Sequence, residues 1–497
     1  MSENTLGEII KLRKEKIHTI QEMGINPFPY SFNRSHSVEL ALANFDALRD
    51  ETSITMAGRL LNIRVMGKAS FAHFVDGSGK IQMYISKNDV GEETYNLFKL
   101  LDLGDIIGVT GVLMETRVGE KTIKAKSLEL LSKNVRPLPN TKEKEGHHFD
   151  GFEDKEQRYR KRYLDLIVNP EVKATFVKRA SIYKAIRHYF DEKGYLEVET
   201  PILQPIYGGA SARPFTTHHN ALDIPLYLRI ADELYLKRLI VGGFEKVFEF
   251  SRNFRNEGMD RTHNPEFTAI EWYEAYVDYF YMMDFVEELF HTLATHLNQQ
   301  VFTYNGHEID LSKPFHRATM QELVSKYTGL DLSVATENEM MKYLNEHHVK
   351  FESEANYGQL LDTLFDEFVE PHLIEPTFVT EYPKAISPLA KIKRDSDGTF
   401  VERFELFIAG NEFANAFSEL NDPIDQRNRL EAQAKLRAAG DEEAQVVDED
   451  FLQAIEFGMP PTGGVGMGLD RLIMLLTENQ SIRDVLLFPQ MRPENIQ

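Results

Sequence analysis

Three stretches of the sequence bring together side chains able to act on a charged, planar molecule. In the first, Arg255, Asn256 and Glu257 are followed by Arg261, Thr262, His263 and Asn264 in a polar loop between two apolar runs. The runs alternate in polarity, which predicts strands over 246–254 and 267–273 closed into a hairpin. A guanidinium and a carboxylate held at the end of a rigid hairpin suit a planar anion such as a nucleotide. In the second stretch, Glu405 and Glu412 stand seven residues apart, with Asn415, Phe417 and Glu419 alternating behind them. Carboxylates crowded on adjacent strands repel one another unless a cation sits among them, and Mg²⁺ bridging phosphates is the natural occupant. In the third, a glycine-rich run over 461–470 delivers Arg471 to a helix start, where it can reach a polyphosphate and lie against adenine.

Other elements must position these groups. The turn around Gly208 and Gly209 is one where backbone can approach a ligand closely, but it lacks the strand and helix context of a dinucleotide or P-loop motif. Glu233 opens a predicted helix, where it could be a ligand contact or a surface carboxylate favoured by the helix dipole. A longer helix begins at Asn169-Pro170, carries Val172, Phe176, Ala180, Tyr183, Ile186 and Phe190 at spacings of three and four, and closes at Gly194. A strand over 195–199 follows it. Residues 277–400 alternate helices with loops and carry no assigned chemistry. Residues 426–450 read as an exposed, charged helical arm.

The chain has 497 residues, enough for two or three domains, and its 42% apolar content supports sizeable cores. It contains no cysteine, which excludes disulfides, thiolate catalysis and cysteine-ligated zinc together. No apolar run is long enough to span a bilayer, and the opening residues form a charged amphipathic helix without a signal-peptide core. A cytoplasmic protein with no membrane partner is expected. The formal charge of −22 argues against broad nucleic-acid affinity, and no DNA partner is expected. The deficit is uneven, however: residues 1–150 carry 20 basic and 20 acidic side chains, so all of the excess lies in 151–497. The N-terminal third is the less repulsive surface for a polyanion. Its strands, read at 54–65, 70–75, 81–85, 105–115 and 121–131 with a helix over 92–101, have the layout of an OB-fold. Phe71, Gln82 and Arg64 on the first three strands could supply base stacking, edge hydrogen bonds and charge.

The wording of the Arg255 loop, with His263-Asn264-Pro265-Glu266-Phe267 behind it, resembles motif 2 of the class II aminoacyl-tRNA synthetases. The 461–471 run resembles motif 3, and the long helix, strand and Pro201 resemble motif 1, the dimer-forming element. The closest likeness is to the bacterial lysyl-tRNA synthetases of subclass b. The resemblance implies an α+β chain: a helical extension over 1–52, an OB-fold anticodon-binding domain over 53–140 and a linker over 141–165. A catalytic domain over 166–497 follows, an antiparallel sheet flanked by helices, with a helical insertion around 280–375. It implies a homodimer that joins L-lysine to tRNA(Lys) with ATP and Mg²⁺. By that likeness Arg255 holds the α-phosphate and the lysine carboxylate, Arg471 the γ-phosphate, and Phe267 and Glu257 the adenine. Glu405 and Glu412 hold Mg²⁺, His263 and Asn264 complete the ATP loop, and Arg261 or Thr262 supplies its second phosphate contact. The lysine pocket falls to Gly209, Glu233, Glu271, Tyr273, Asn415, Phe417 and Glu419. Arg64, Phe71 and Gln82 face the anticodon; a family glutamate near the end of the last barrel strand falls at Ser127, with Glu129 two residues on. Aspartyl- and asparaginyl-tRNA synthetases share the architecture, and a synthetase-like binding protein without activity is the other alternative.

Overall fold

The computed structural model describes residues 3–494 apart from 51, 140, 145–146, 151, 333, 353–354, 439 and 441–443, with backbone alone at 3–4, 141–144 and 147–150. It divides into two compact units, Met1–Glu153 and Asp154–Gln497.

In the first unit, β1 (Ser53–Met66), β2 (Ala69–Val75), β3 (Lys80–Ser86), β4 (Ile106–Glu115) and β5 (Lys121–Ser132) close a barrel in the order β1-β2-β3-β5-β4. Alternation sorts the side chains. Ala72, Phe74, Ile81, Met83, Ile107 and Val109 fill the interior, while Phe71, His73 and Tyr84 take the outer face. Helix α1 (Glu3–Glu22) sends Ile20 into this core. Its basic face is partly used in docking: Arg13 donates to the Leu103 and Asn134 carbonyls, and Lys16 pairs with Asp102 at 2.7 Å. Helix α2 (Lys87–Leu100) starts earlier than its apolar period suggests, because Ser86 caps it and Gly91, at φ 83°, breaks the regular turn before that period begins. The stretch 141–165, expected as a linker, contains a short antiparallel pair, Thr141–Lys144 with His147–Asp150, and two helical segments, the first capped by the Asp154 side chain.

The second unit is built on eight strands. In chain order they are β6 (Leu196–Glu197), β7 (Lys246–Phe254), β8 (Glu266–Ala275), β9 (His316–Thr319), β10 (Thr377–Thr380), β11 (Arg403–Ile408), β12 (Asn411–Ser418) and β13 (Thr462–Gly468). They lie side by side as β9-β10-β11-β12-β13-β8-β7-β6. The six central strands are antiparallel, as expected, and the edge strands β6 and β9 each join in parallel. One face is apolar and is covered by α3 (Pro170–Glu192), α5 (Tyr279–His296) and α6 (Leu469–Leu476); α4 (Glu233–Val241) lies elsewhere, with Leu236 and Ile240 against Val247 and Tyr273. Phe190 of α3 stacks on Phe248 at 4.6 Å and meets Trp272 edge-on at 5.3 Å. These aromatics fix how α3 is rotated. Ile182, Ile186, Tyr189 and Phe190 are buried, whereas Ala180, part of the expected stripe, is exposed.

The region 280–375, expected as one helical insertion, separates into parts. Helix α5 belongs to the main core through Met282, Phe285, Leu289 and Leu293, and β9 belongs to the sheet. Helices Met320–Thr328, Glu337–Glu346 and Tyr357–Phe368 build a satellite cluster around Leu360, Leu364 and Phe365. Helix Pro423–Ala438, expected as an exposed arm, is anchored along one side. Its Gln426 is wholly buried, and Arg429 donates to the carbonyls of Ser387 and Ala390.

Candidate active site

The other face of the sheet is polar and concave, and β8 shows why. Ile270 and Trp272 turn toward the helices, so Glu271 and Tyr273 turn the other way. Across the sheet Glu405 pairs with Asn415, Asn415 with Gly466, and Gly466 with Glu271. One line of the floor thus reads acid, amide, gap, acid. On the neighbouring line Arg403, Phe417, Gly464 and Tyr273 stand in succession. Strict alternation from Asn415 would turn Glu412 into the core, but a register shift between Leu406 and Phe407 returns it to the cavity side.

The resulting cavity has a volume of about 450 Å³. It is lined by Gly209, Glu233, Arg255, Glu257, His263, Asn264, Phe267, Glu271, Tyr273, Glu405, Glu412, Asn415, Phe417, Glu419 and Arg471, all of them residues singled out in the sequence. Of the two further candidates in the loop, Thr262 lines the cavity and Arg261 instead donates to the Gln480 carbonyl at 3.2 Å.

One end gathers cations. The Arg255 guanidinium lies 5.1 Å from the Phe267 ring centre, and its backbone N–H is held by the Pro265 carbonyl. Its Nε is buried with no hydrogen-bond partner among the described residues, as a waiting anion contact would be. Arg471 donates to the Glu412 carbonyl at 2.6 Å, and its Nη2 lies 2.9 Å from His263 Nε2. The other ring nitrogen of His263 is 2.8 Å from Asp260, so an Nδ1–H donated to that carboxylate leaves Nε2 to accept from Arg471. Beside this end Glu405 is held by Arg403 at 2.5 Å and by the Tyr382 hydroxyl at 2.8 Å. Burial, opposed by the Arg403 charge and reinforced by Glu412, pushes Glu405 up to about 7.

The other end gathers carboxylates. The Tyr273 hydroxyl donates to Glu271 at 3.3 Å, and burial followed by the nearby Asp232 and Glu233 charges holds Glu271 well above the ordinary carboxylate range. Glu419 is 1% exposed; burial, partly offset by Lys237, pushes it up to about 8. Gly209 has φ 85°, and a Cβ there would meet the Glu233 Cβ at 3.1 Å, so the turn closes on Glu233 only with glycine. Gly464 is tighter still. A Cβ there would lie 2.1 Å from Glu419 Oε1 and 2.3 Å from the Tyr273 ring. Lys237 and Arg403 carry no mark in the sequence reading, although each had a local signal: Lys237 stands one helical turn after Glu233, and Arg403 two residues before Glu405 on the same strand face.

An acid-lined end and an arginine-lined end in one cavity, on a sheet with this strand order, invite comparison with known proteins. A family profile described as tRNA synthetases class II (D, K and N) matches residues 154–492, and one described as OB-fold nucleic acid binding domain matches 54–131. The chain is 53% identical over 490 residues to the lysine–tRNA ligase of Moorella thermoacetica, covering 98% of both chains. It is 52% identical over 503 residues to that of Carboxydothermus hydrogenoformans, covering 100% of both. With the lysine–tRNA ligase of Christiangramia forsetii it shares 52% over 498 residues, 98% of this chain and 87% of the relative. The chain belongs to the class II lysine–tRNA ligase family.

The outer face of the barrel carries the remaining residues singled out in the sequence. Strand pairing sets Arg64 opposite Phe71 and Phe71 opposite Tyr84, with the two rings 5.2 Å apart. Arg64 is exposed and Phe71 half-buried, as a stacking platform with a charged rim requires. Gln82, by contrast, is buried and already engaged: it donates to Glu120 at 2.6 Å and accepts from Thr122 at 2.8 Å. Glu120 also lies 2.7 Å from His73 Nε2. The acid that meets this face is therefore Glu120, ahead of β5, whereas Ser127 and Glu129 are exposed further along that strand. Tyr84 and Glu120 were not singled out in the sequence, though Tyr84 follows Gln82 by one strand period.

Proposed function

We propose that the protein joins lysine to tRNA(Lys) in two steps at the cavity of the second unit. The lysine carboxylate attacks the α-phosphorus of ATP and pyrophosphate leaves, giving lysyl-adenylate. The terminal ribose hydroxyl of the tRNA then attacks the lysyl carbonyl and AMP leaves. No protein nucleophile is needed, and catalysis consists of positioning and charge neutralisation. Arg255 holds the α-phosphate and the substrate carboxylate, Arg471 the γ-phosphate, and Phe267 the adenine face, with Glu257, His263 and Asn264 completing the nucleotide end. Glu405 and Glu412 suit Mg²⁺, since both line the cavity and the Glu405 carboxyl is raised by burial and by its neighbour. Two carboxylates are what Mg²⁺ needs when phosphate and water fill its other positions, and the ion neutralises phosphate charge. Gly209, Asn415 and Phe417 shape the lysine end, where Glu271, Tyr273 and Glu419 meet the ε-ammonium.

The observation that carries this reading is the pairing of buried Glu271 and Glu419 with Tyr273 at the end away from Arg255. An aspartate side chain placed there would meet carboxylates, and the ammonium of Lys237 beneath them is already taken by Glu233 and Glu419. The test is exchange of labelled pyrophosphate into ATP with each of the twenty amino acids, with Mg²⁺ and without tRNA. Exchange with lysine alone is expected; exchange with aspartate or asparagine, or with none, overturns the proposal.

Gly464→Ala is expected to raise the KM for lysine by about 10–100-fold, since overpacking of this kind costs about 1–3 kcal/mol. The added methyl displaces Glu419 or Tyr273, so an unchanged lysine KM would contradict the placement of the pocket. Phe71→Ala is expected to leave pyrophosphate exchange intact and weaken tRNA charging by about 5–100-fold, the worth of one stacked base. A variant charging tRNA at the normal rate would remove Phe71 from the anticodon face. We also propose a homodimer. The apolar face of α3 is occupied by its own core, so support comes from the segment after it, where Leu196, Ile202, Leu203 and Ile206 are each 39–49% exposed.

A further inference from the structure

Beneath the lysine end of the cavity lies an ammonium that belongs to the protein. Lys237 of α4 is wholly buried, with its Nζ 2.5 Å from Glu233 Oε1 and in contact with Glu419 Oε2. Glu233 and Glu419 line the cavity, whereas Lys237 does not. It therefore stands behind the two carboxylates and cannot touch the substrate. The aromatic ring of Phe417 lies 6.0 Å from the same Nζ, and Glu233 is reached as well by the charges of Asp232 and Arg403.

We propose that Lys237 is a specificity-determining positioning residue: it fills the deeper cation position between Glu233 and Glu419 and so fixes where the substrate ammonium stops. The inference rests on the reading of this cavity as a lysine pocket. Two carboxylates brought this close in a buried place repel each other, and an ammonium bonded to both holds them at a set separation. The arrangement leaves Glu419 Oε1 without a partner among the described residues, against the Cα of Gly464 and the ring of Tyr273. A substrate side chain that reaches this oxygen is matched in length to the cavity. It also finds carboxylates whose charge is already partly balanced, so one further positive charge suffices and a second has no place to go. The helical spacing is favourable, because a glutamate four residues before a lysine places the two on the same face.

The test uses the full-length protein and pyrophosphate exchange, with the wild type measured beside each variant. Lys237→Met keeps most of the volume and removes the charge. It is expected to raise the KM for lysine by about 100-fold, as loss of one partner of a buried ion pair does, while the KM for ATP stays within about threefold. The double variant Lys237→Met with Glu233→Gln removes one charge of each sign, and is expected to recover at least about tenfold of that loss. Equal changes in the lysine and ATP constants, or a double variant no better than the single one, overturn the proposal. Should the single variant fail to fold, the double variant decides alone: a lysine KM within about tenfold of the wild type supports the inference, and a larger loss refutes it. A wild type that does not exchange with lysine would refute the pocket itself. A wild type that does, beside an indifferent Lys237→Met, refutes only the role of Lys237.

Discussion

Arg255→Ala is expected to lower kcat/KM for lysine-dependent pyrophosphate exchange by about 10²–10³-fold, the usual cost of removing one preorganised donor to a developing charge. Three observations make the loss large. Arg255 follows directly on a nine-residue strand paired along its length with β8, so the guanidinium is delivered by the end of a rigid element. Its Nε is buried with no hydrogen-bond partner among the described residues, so none of these must release it when an anion arrives. It also lies over the ring of Phe267, which orients its plane. For these reasons Arg255→Lys should rescue little, because a point charge cannot replace a planar fork. The measurement is steady-state exchange with separate variation of ATP and lysine. A loss smaller than tenfold would mean that the α-phosphate is held elsewhere.

Glu419→Gln is expected to raise the KM for lysine by about 10²–10³-fold, since it leaves Lys237 with one counter-charge and the substrate ammonium with a neutral amide. The KM for ATP should hardly move. The same residue predicts a pH dependence whose sign can be worked out. In the empty pocket the Glu419 carboxyl is pushed up to about 8, chiefly by burial, so near neutrality it carries a proton most of the time. An arriving ammonium favours the ionised form and expels that proton. Lysine affinity should therefore rise with pH toward about 8, by at most about tenfold per unit, and level off above it. In Glu419→Gln the rising limb should be gone. A limb that survives the substitution would assign it to another group, with Glu271 the first to examine.

How much of this was legible in the sequence differed by type of feature. The hairpin carrying Arg255 was readable to the residue in its first strand, because alternation over nine residues bounded by a polar loop has one structural solution. The barrel strands, whose turns carry their own glycines, were readable to within one residue at each end. Of the edge strands, β6 falls inside the strand expected over 195–199 but is only two residues long, whereas β9, with four residues, was not readable because so short a run has no period to mark it. Glu412 sits on the cavity side only because of an irregularity in pairing, which alternation cannot foresee. The rotation of α3 was missed for a related reason, since Ala180 fits an apolar stripe as well as Ile182 does until Phe248 and Trp272 choose between them. Partners set by tertiary contact, such as Lys237 with Glu419 or Gln82 with Glu120, join residues far apart in the chain. Only the i, i+4 half of the first was written locally.

Trp272 packs against Phe190 and Phe285 on the helix side of β8, its indole N–H without a partner among the described residues, between two residues that face the cavity. It is the only tryptophan in the chain. The protein thus contains a single indole fluorophore, buried in an aromatic shell and next in the chain to both Glu271 and Tyr273. Its emission belongs to the second unit alone. Tryptophan fluorescence followed through a denaturant titration would report that unit's unfolding and be blind to the barrel, so that disagreement with circular dichroism would measure how independently the two units melt.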